Sequence, residues 1–185
     1  MNLAAQSFFP SRMINLEALI RTVPDFPKPG IQFRDITPIL ADPQAYSLLI
    51  DQMSAQVKLS GANVIVGLES RGFVFGVSIA ERLALPFVLA RKAGKLPGDT
   101  VKLDYSLEYG KQALELQLGS IKPNDKVAVV DDLLATGGTA QAAEKLITML
   151  GGKVSGFFFA IELTELNGRK VLDPHLTESI MKFKN

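Results

Sequence analysis

The sequence contains no cysteine, which excludes a disulfide framework, a thiolate metal site and a catalytic cysteine. It has no apolar run long enough to cross a bilayer, and its first residues, MNLAAQSFFPSR, lack the basic stretch and apolar core of a signal peptide. The formal net charge is only +1, which gives no indication of a nucleic-acid arm or a membrane-binding patch. We therefore expect a cytoplasmic protein that binds neither nucleic acid nor membrane.

Histidine is almost as scarce, because His175 is the only one and lies far in sequence from every motif described below. We expect a surface or capping role for it, with no metal site around it. A chain of 185 residues without repeats or a linker is most economically one domain, which we predict over residues 1–185.

Short apolar segments alternate with helical patterns through most of the chain. The segments NVIVG, PFVLA, KVAVV and VSGFFFAIEL are typical of buried strands, and helical patterns begin at Gly72 and after TGGT. Strands joined by helical crossovers indicate a mostly parallel sheet covered on both faces. The fold class is therefore α/β, a mostly parallel twisted sheet with helices on both faces, plus a small subdomain.

The remaining segments are less regular. Residues 14–23 follow a helical pattern, residues 24–30 are broken by prolines, and a second helix begins at Asp42. We expect Gln32, Phe33 and Arg34 to be irregular, residues 91–99 to form a basic loop, and two strands of a hairpin to follow at 100–107 and 112–118.

The sequence predicts an anion site after the strand KVAVV, in VAVVDDLLATGGTA at residues 127–140. Ala135, Thr136, Gly137, Gly138 and Thr139 combine two glycines, two hydroxyls and the first free amides of a helix, which together favour a bound anion. No lysine follows the glycines as in a Walker loop, and the spacing is not GxGxxG, so a single terminal phosphate fits better than a nucleotide polyphosphate.

Two acids, Asp131 and Asp132, precede this loop directly after the expected strand. Carboxylates repel a phosphate but accept hydrogen bonds from the two hydroxyls of a vicinal diol. A ligand with a diol at one end and a phosphate at the other is a ribose 5-phosphate. The same acids could stabilise positive charge that develops on the sugar ring.

With VVDDLLATGGT in place, the chain resembles the type I phosphoribosyltransferase family, and its adenine branch in particular. Five further segments agree in order and spacing: FPKPGIQFRDITPIL, GLESRGFVFG, RKAGKLPG, YSLEYGK and IELTELNGR. The resemblance implies transfer of a phosphoribosyl group from phosphoribosyl pyrophosphate (PRPP) to adenine, with release of AMP and pyrophosphate. It also implies that residues from about 1 to 40 contribute to a base-binding hood.

The resemblance assigns the PRPP ligands by position. Asp131 and Asp132 would meet the ribose hydroxyls, and Ala135 to Thr139 the 5-phosphate. The pyrophosphate ligands would be Glu69, Ser70, Arg71, Arg91, Lys92 and Lys95. The family usually has Asp where Glu69 stands, and its loop here often contains a cis peptide bond that does not precede proline.

The remaining roles also follow from the resemblance. Glu108 of YSLEYGK would exchange a proton with the purine as the glycosidic bond forms. The adenine would be read by the backbone of Gln32 and Arg34, with Phe33 over one ring face and Leu163 near the base. Mg²⁺ would be held mainly by PRPP rather than by protein ligands. The oligomer would be a homodimer, with residues 72–83 and the Arg91 loop as contact regions.

Two other functions remain open. Phosphoribosyltransferases for guanine, hypoxanthine or xanthine typically place a lysine after the last strand, where this chain reads AIELTELNG. A PRPP-sensing regulator would carry a helix-turn-helix or a basic RNA-binding face, and the net charge of +1 argues against the latter.

Overall fold

The computed structural model describes residues 14–107 and 110–184, and of residues 106, 107, 110 and 111 the backbone alone. The chain divides into two compact units: the N-terminal unit ends at Tyr46, and the C-terminal unit begins at Ser47.

The N-terminal unit contains a short hairpin and the start of a long helix. Its elements are α1 (Leu16–Leu19), β1 (Arg21–Pro24), β2 (Gln32–Asp35), α2 (Thr37–Ala41) and the first turn of α3 (Pro43–Leu59). Asp42 caps α3 as predicted, because its Oδ1 accepts hydrogen bonds from the amides of Gln44 (3.0 Å) and Ala45 (3.1 Å).

Two predictions for this unit are wrong. The helix expected over residues 14–23 ends at Leu19, and Arg21 to Pro24 form a strand instead. Gln32 to Arg34, expected to be irregular, form the antiparallel partner of that strand, with Val23 opposite Phe33. Both errors have one cause, since neither four-residue strand is recognisable until its partner satisfies its backbone groups.

A seven-stranded sheet forms the centre of the C-terminal unit, in the order β5-β6-β4-β3-β7-β8-β9. Strands β3, β4, β7, β8 and β9 pair in parallel, and β5 and β6 form an antiparallel hairpin at one edge. Their bounds are β3 (Val64–Leu68), β4 (Phe87–Lys92), β5 (Thr100–Leu107), β6 (Gly110–Gln117), β7 (Lys126–Leu134), β8 (Lys153–Leu163) and β9 (Thr177–Phe183).

Helices cover both faces of this sheet, as predicted. Helix α4 (Gly72–Leu83) and helix α5 (Gly138–Met149) follow β3 and β7, and a 3₁₀ turn (Thr164–Leu166) and α6 (Gly168–Val171) follow β8. Side chains of a strand alternate between its two faces, and β7 is buried on both, with Val127 and Val129 in the cluster that contains α5 residues. No helix among the described residues is long and apolar enough to span a membrane.

Three details differ from the sequence predictions. Arg91 and Lys92, expected in the basic loop, lie at the end of β4 and pair with β6, so the β5–β6 hairpin extends the main sheet. Strand β7 continues through Leu134, and β9 has no counterpart among the predicted strands. The TESIMKF segment of β9 is half-polar, and its place at the sheet edge explains why apolar runs did not identify it.

His175 lies before β9, with its Nε2 2.6 Å from the Glu144 carboxylate of α5 and its ring packed edge-on against Phe157. Its half-buried side chain links α5 to the segment before β9, a contact that the expected surface or capping role did not include.

Candidate active site

The candidate anion loop connects β7 to α5. Gly137 precedes the helix with φ +83°, a left-handed conformation that favours glycine, and Gly138 begins the helix. A recess of about 80 Å³ opens here, lined by Leu68, Asp131, Leu133, Leu134, the loop residues Ala135 to Thr139, Ala140 and Phe159. The helix dipole and its free amides point at this recess, so it suits a phosphate group.

Asp131 and Asp132 lie inside β7, not after it as the sequence suggested. Asp131 lines the recess, its Oδ1 accepts a hydrogen bond from the Asp132 amide (2.8 Å), and Asp132 is buried. Burial, and secondly the negative charge of Asp132, raise the pKa of the Asp131 carboxyl well above its ordinary value. The two acids are thus brought to the anion loop, in an environment that disfavours the charged form of Asp131.

Arg71 reaches the same strand from the GLESRG segment between β3 and α4. Its Nε donates to Oδ2 of Asp132 over 2.5 Å, so a predicted pyrophosphate ligand contacts a predicted ribose ligand. The Glu69–Ser70 peptide bond is cis, as the resemblance implied. A side chain at Gly72 would approach Oδ1 of Asp131 to 2.9 Å, so glycine at this helix start allows the close approach.

Glu69 binds the cationic end of β4. Its carboxylate accepts hydrogen bonds from Arg91 Nε (3.2 Å) and Nη2 (3.1 Å) and from the Lys92 amide (2.8 Å). Burial opposes the charge on Glu69, but the hydrogen bonds from Arg91 and Lys92 outweigh it and lower the pKa of the carboxyl. Glu69 is therefore a residue that orients Arg91.

Lys95 is placed by a residue that the sequence did not single out. Glu115 of β6 is buried, and its Oε1 accepts hydrogen bonds from the amides of Lys95 and Leu96, both at 2.9 Å. Arg91 Nη1 donates to the carbonyl of Lys95 (2.9 Å). The side chains of Lys92 and Lys95 are exposed, so the half-buried Glu69 and the buried Glu115 hold a loop that presents cations to solvent.

Tyr105 was also missed. Its hydroxyl lies 3.3 Å from Oγ1 of Thr139 and donates to Gln112 (3.2 Å), which joins the β5–β6 hairpin to the anion loop. Polar alternation in the hairpin does not reveal which hydroxyl faces α5, because that depends on the pairing of β6 with β4.

The predicted base-binding residues are divided between the units. Gln32, Phe33 and Arg34 occupy β2 of the N-terminal unit, all half-buried, and Phe33 packs edge-to-face on Phe26 at 5.1 Å. Leu163 ends β8 and is buried. Glu108 lies outside the described residues.

The described residues contain no group of three or more His, Asp or Glu side chains that could hold a metal ion. Asp131 and Asp132 nevertheless present neighbouring carboxylate oxygens, the kind of donor that Mg²⁺ prefers when substrate phosphates supply its other ligands.

A mostly parallel sheet that carries two carboxylates and an anion loop at the carboxyl end of a central strand is typical of a phosphoribosyl-binding protein. Residues 39–163 match the family described as phosphoribosyl transferase domain. The adenine phosphoribosyltransferase of Francisella philomiragia is 55% identical over 166 residues, which cover 89% of this chain and 95% of that protein.

Solved structures agree. The adenine phosphoribosyltransferase of Thermoanaerobacter pseudethanolicus superposes on this chain with a TM-score of 0.88 at 45% sequence identity. The match covers 91% of this chain and 98% of that protein. The adenine phosphoribosyltransferase of Saccharomyces cerevisiae, solved with an imino-altritol bisphosphate and adenine, superposes with a TM-score of 0.82 at 39% sequence identity. This match covers 89% of this chain and 95% of that protein. The chain belongs to the phosphoribosyltransferase family, in its adenine phosphoribosyltransferase branch.

Proposed function

We propose that this protein transfers the 5-phosphoribosyl group of PRPP to adenine, forming AMP and pyrophosphate. The observation that carries the proposal is the β7–α5 turn, where Asp131 and the anion loop line one recess, in a chain 55% identical to an adenine phosphoribosyltransferase. The whole chain acts as one phosphoribosyltransferase domain, with the N-terminal residues to about 40 as its hood.

In the proposed complex, Ala135 to Thr139 bind the 5-phosphate through loop amides and threonine hydroxyls. Asp131 and Asp132 accept hydrogen bonds from the ribose hydroxyls. These contacts hold the anomeric carbon in place while the bond to pyrophosphate breaks and the ring gains oxocarbenium character. The acids favour that positive charge more than they favour the neutral ground state.

Cations receive the departing pyrophosphate. Arg71 and Arg91 offer planar guanidinium forks, Lys92 and Lys95 add exposed ammonium groups, and Ser70 is a further proposed ligand. Glu69 acts through Arg91, which it orients by the hydrogen bonds described above. Mg²⁺ would be held mainly by PRPP, and when bound it would supply positive charge that stabilises the departing pyrophosphate.

The base side of the reaction rests on the resemblance. Glu108 exchanges a proton with the purine as its ring nitrogen bonds to the anomeric carbon. The β2 backbone at Gln32 and Arg34 pairs with the donor and acceptor edge of adenine, with Phe33 and Leu163 against the ring. A 6-oxopurine inverts that edge and leaves the polar groups unmatched. We further propose a cytoplasmic homodimer that uses residues 72–83 and the Arg91 loop as contacts.

Product analysis tests the function. The purified protein with PRPP, Mg²⁺ and one base at a time is expected to convert adenine to AMP with one equivalent of pyrophosphate. Hypoxanthine and guanine should react about 10⁴-fold less efficiently, the scale of discrimination when buried polar groups lose their partners. Comparable efficiency with a 6-oxopurine would overturn the base assignment. PRPP binding by calorimetry without any product would indicate a sensor instead of an enzyme.

A further inference from the structure

The segment after β8 lies directly against the anion loop. A Cβ atom at Gly168 would overlap the carbonyl oxygen of Ala135 and come within 3.0 Å of the Gly137 amide. A Cβ at Gly137 would in turn come within 2.7 Å of the Gly168 carbonyl oxygen. Two backbone segments thus pack at a distance that only glycine permits, and the loop cannot move toward Gly168 without a clash.

A second contact ties the same segment to α5. Gln141 in the first turns of this helix donates from Nε2 to the Val171 carbonyl over 3.3 Å. The segment from Asn167 to Leu172, here called the brace, therefore touches both the anion loop and the helix that begins from it.

An internal ion pair anchors the brace to the sheet. Arg169 donates from Nε (3.1 Å) and Nη2 (2.6 Å) to the two carboxylate oxygens of Glu162, and from Nη1 to the Thr177 carbonyl. Glu162 is buried at the end of β8 and accepts a further hydrogen bond from Ser179 of β9 (2.7 Å). The fork of Arg169 thus spans two strands, which a lysine could not do with the same geometry.

We infer that Gly168 and Arg169 are positioning residues for the 5-phosphate of PRPP. Arg169, fixed on Glu162 and the Thr177 carbonyl, holds the brace so that the Gly168 backbone supports Ala135 to Gly137. The loop amides then point at the phosphate before it arrives, and preorganised donors of this kind bind an anion without reorganisation. Neither residue touches the substrate. The inference depends on the proposed function for the identity of its ligand.

The test compares two glycines. Gly168→Ala is expected to raise KM for PRPP by about tenfold to a hundredfold, the scale of a small misplacement of binding groups, and to leave KM for adenine unchanged. The matched control is Gly152→Ala at the other end of α5, where the new Cβ would meet Ile121 and Ile147 side chains at 2.7 and 3.0 Å. The control should lower Tm without changing KM for PRPP. Equal changes of KM in both variants, or an unchanged KM in folded Gly168→Ala, would overturn the inference.

Arg169→Gln provides a second variant in case Gly168→Ala does not fold. This substitution removes the guanidinium group and is expected to raise KM for PRPP but not KM for adenine. An unchanged KM for PRPP, or a change equal to that of Gly152→Ala, would again overturn the inference. A failure of the proposed function is seen separately, because wild type would then form no AMP. In that case, the affinities of wild type and Arg169→Gln for ribose 5-phosphate can still be compared by calorimetric titration. Equal affinities would show that the brace does not position the anion loop for a phosphate.

Discussion

The Nε of Arg71 lies 2.5 Å from Oδ2 of Asp132, so the site contains an ion pair between a proposed pyrophosphate ligand and a proposed ribose ligand. The side chain of Asp132 is only 8% exposed, whereas that of Arg71 is 48% exposed. The buried carboxylate is therefore held by a cation that remains accessible to PRPP. A guanidinium carries five N–H donors, so one arginine can both compensate the acid and bind phosphate oxygens.

Arg71→Gln should lower kcat/KM for PRPP by about 10²-fold or more, because it removes a leaving-group cation and leaves Asp132 without its counter-charge. Steady-state kinetics with varied PRPP measure this loss. Arg82→Gln is the matched control, since Arg82 forms an exposed pair with Asp51 (2.6 Å) on the same unit. The control should stay within about threefold of wild type. An Arg71→Gln enzyme equally close to wild type would remove Arg71 from the site.

Asp131→Asn should separate stability from activity. The folded pKa of Asp131 is raised by burial and by Asp132, so protonation stabilises the fold. That contribution is fully present below the unfolded pKa, near 3.8, and is lost as pH rises through the raised folded value. The neutral asparagine should therefore raise Tm at pH 7, and the gain should shrink as pH falls toward 4.

The same substitution should reduce turnover, because an amide cannot favour a cationic sugar as a carboxylate does. Calorimetric scans from pH 4 to 8 with kinetics at pH 7.5 measure both effects. Asp104→Asn, at an exposed hairpin position, controls for a general response to charge removal. A lower Tm for Asp131→Asn at pH 7 would contradict the assigned direction.

Glu115→Gln should make the free energy of unfolding less sensitive to a fall in pH. Burial raises the pKa of this carboxyl, but hydrogen bonds from the amides of Leu96, Gly94 and Lys95 outweigh that effect and lower it. A lowered folded pKa contributes stability above the ordinary value, near 4.5, which is lost as pH falls through the folded value. Wild type should therefore lose unfolding free energy below about pH 4.5, and the glutamine variant should lose less.

Urea titrations between pH 7 and 3.5 measure that slope. Glutamine also replaces one acceptor oxygen by a donor facing amides, so we expect a lower stability for Glu115→Gln at pH 7, by about 1–3 kcal/mol. Glu81→Gln on the exposed surface of α4 is the control and should follow the wild-type curve. If the free energy of unfolding of Glu115→Gln changed with pH as that of wild type does, the Glu115 carboxyl would not be the source of the acid sensitivity.

The sequence was most informative where one segment contained its own signal. The apolar run of β7, the glycine-rich turn and the cap at Asp42 need no distant partner, and all are present in the structure. The predictions failed where pairing decides conformation, as in the β1–β2 hairpin and β9. The four-residue strands β1 and β2 bury too little in isolation to favour one conformation, and β9 is half-polar, so only tertiary contact selects each of them.

The candidate site followed the same rule. The anion loop and its acids are contiguous in sequence, and the structure brings Asp131 to the recess. Glu115, Tyr105 and Gly168 were missed because each acts through a residue at least 20 positions away: Glu115 on Lys95, Tyr105 on Thr139 and Gly168 on Ala135. A buried glutamate in an alternating strand gives a signal only when its neighbours across the sheet are known.

Glu108→Ala tests the acid–base role that the resemblance assigns to a residue outside the described ranges. Turnover should fall by about 10²-fold, the lower end of what general acid–base catalysis contributes, because no other carboxyl is proposed to exchange the purine proton. KM for PRPP should change little, since the proposed phosphate and ribose ligands lie elsewhere in the chain. Rapid-quench measurement of AMP formed in a single turnover isolates the chemical step from product release. Asp104→Ala removes an exposed carboxyl from β5 and should leave that rate unchanged. Near-normal single-turnover rates in Glu108→Ala would require the proton to be transferred by another group or by water.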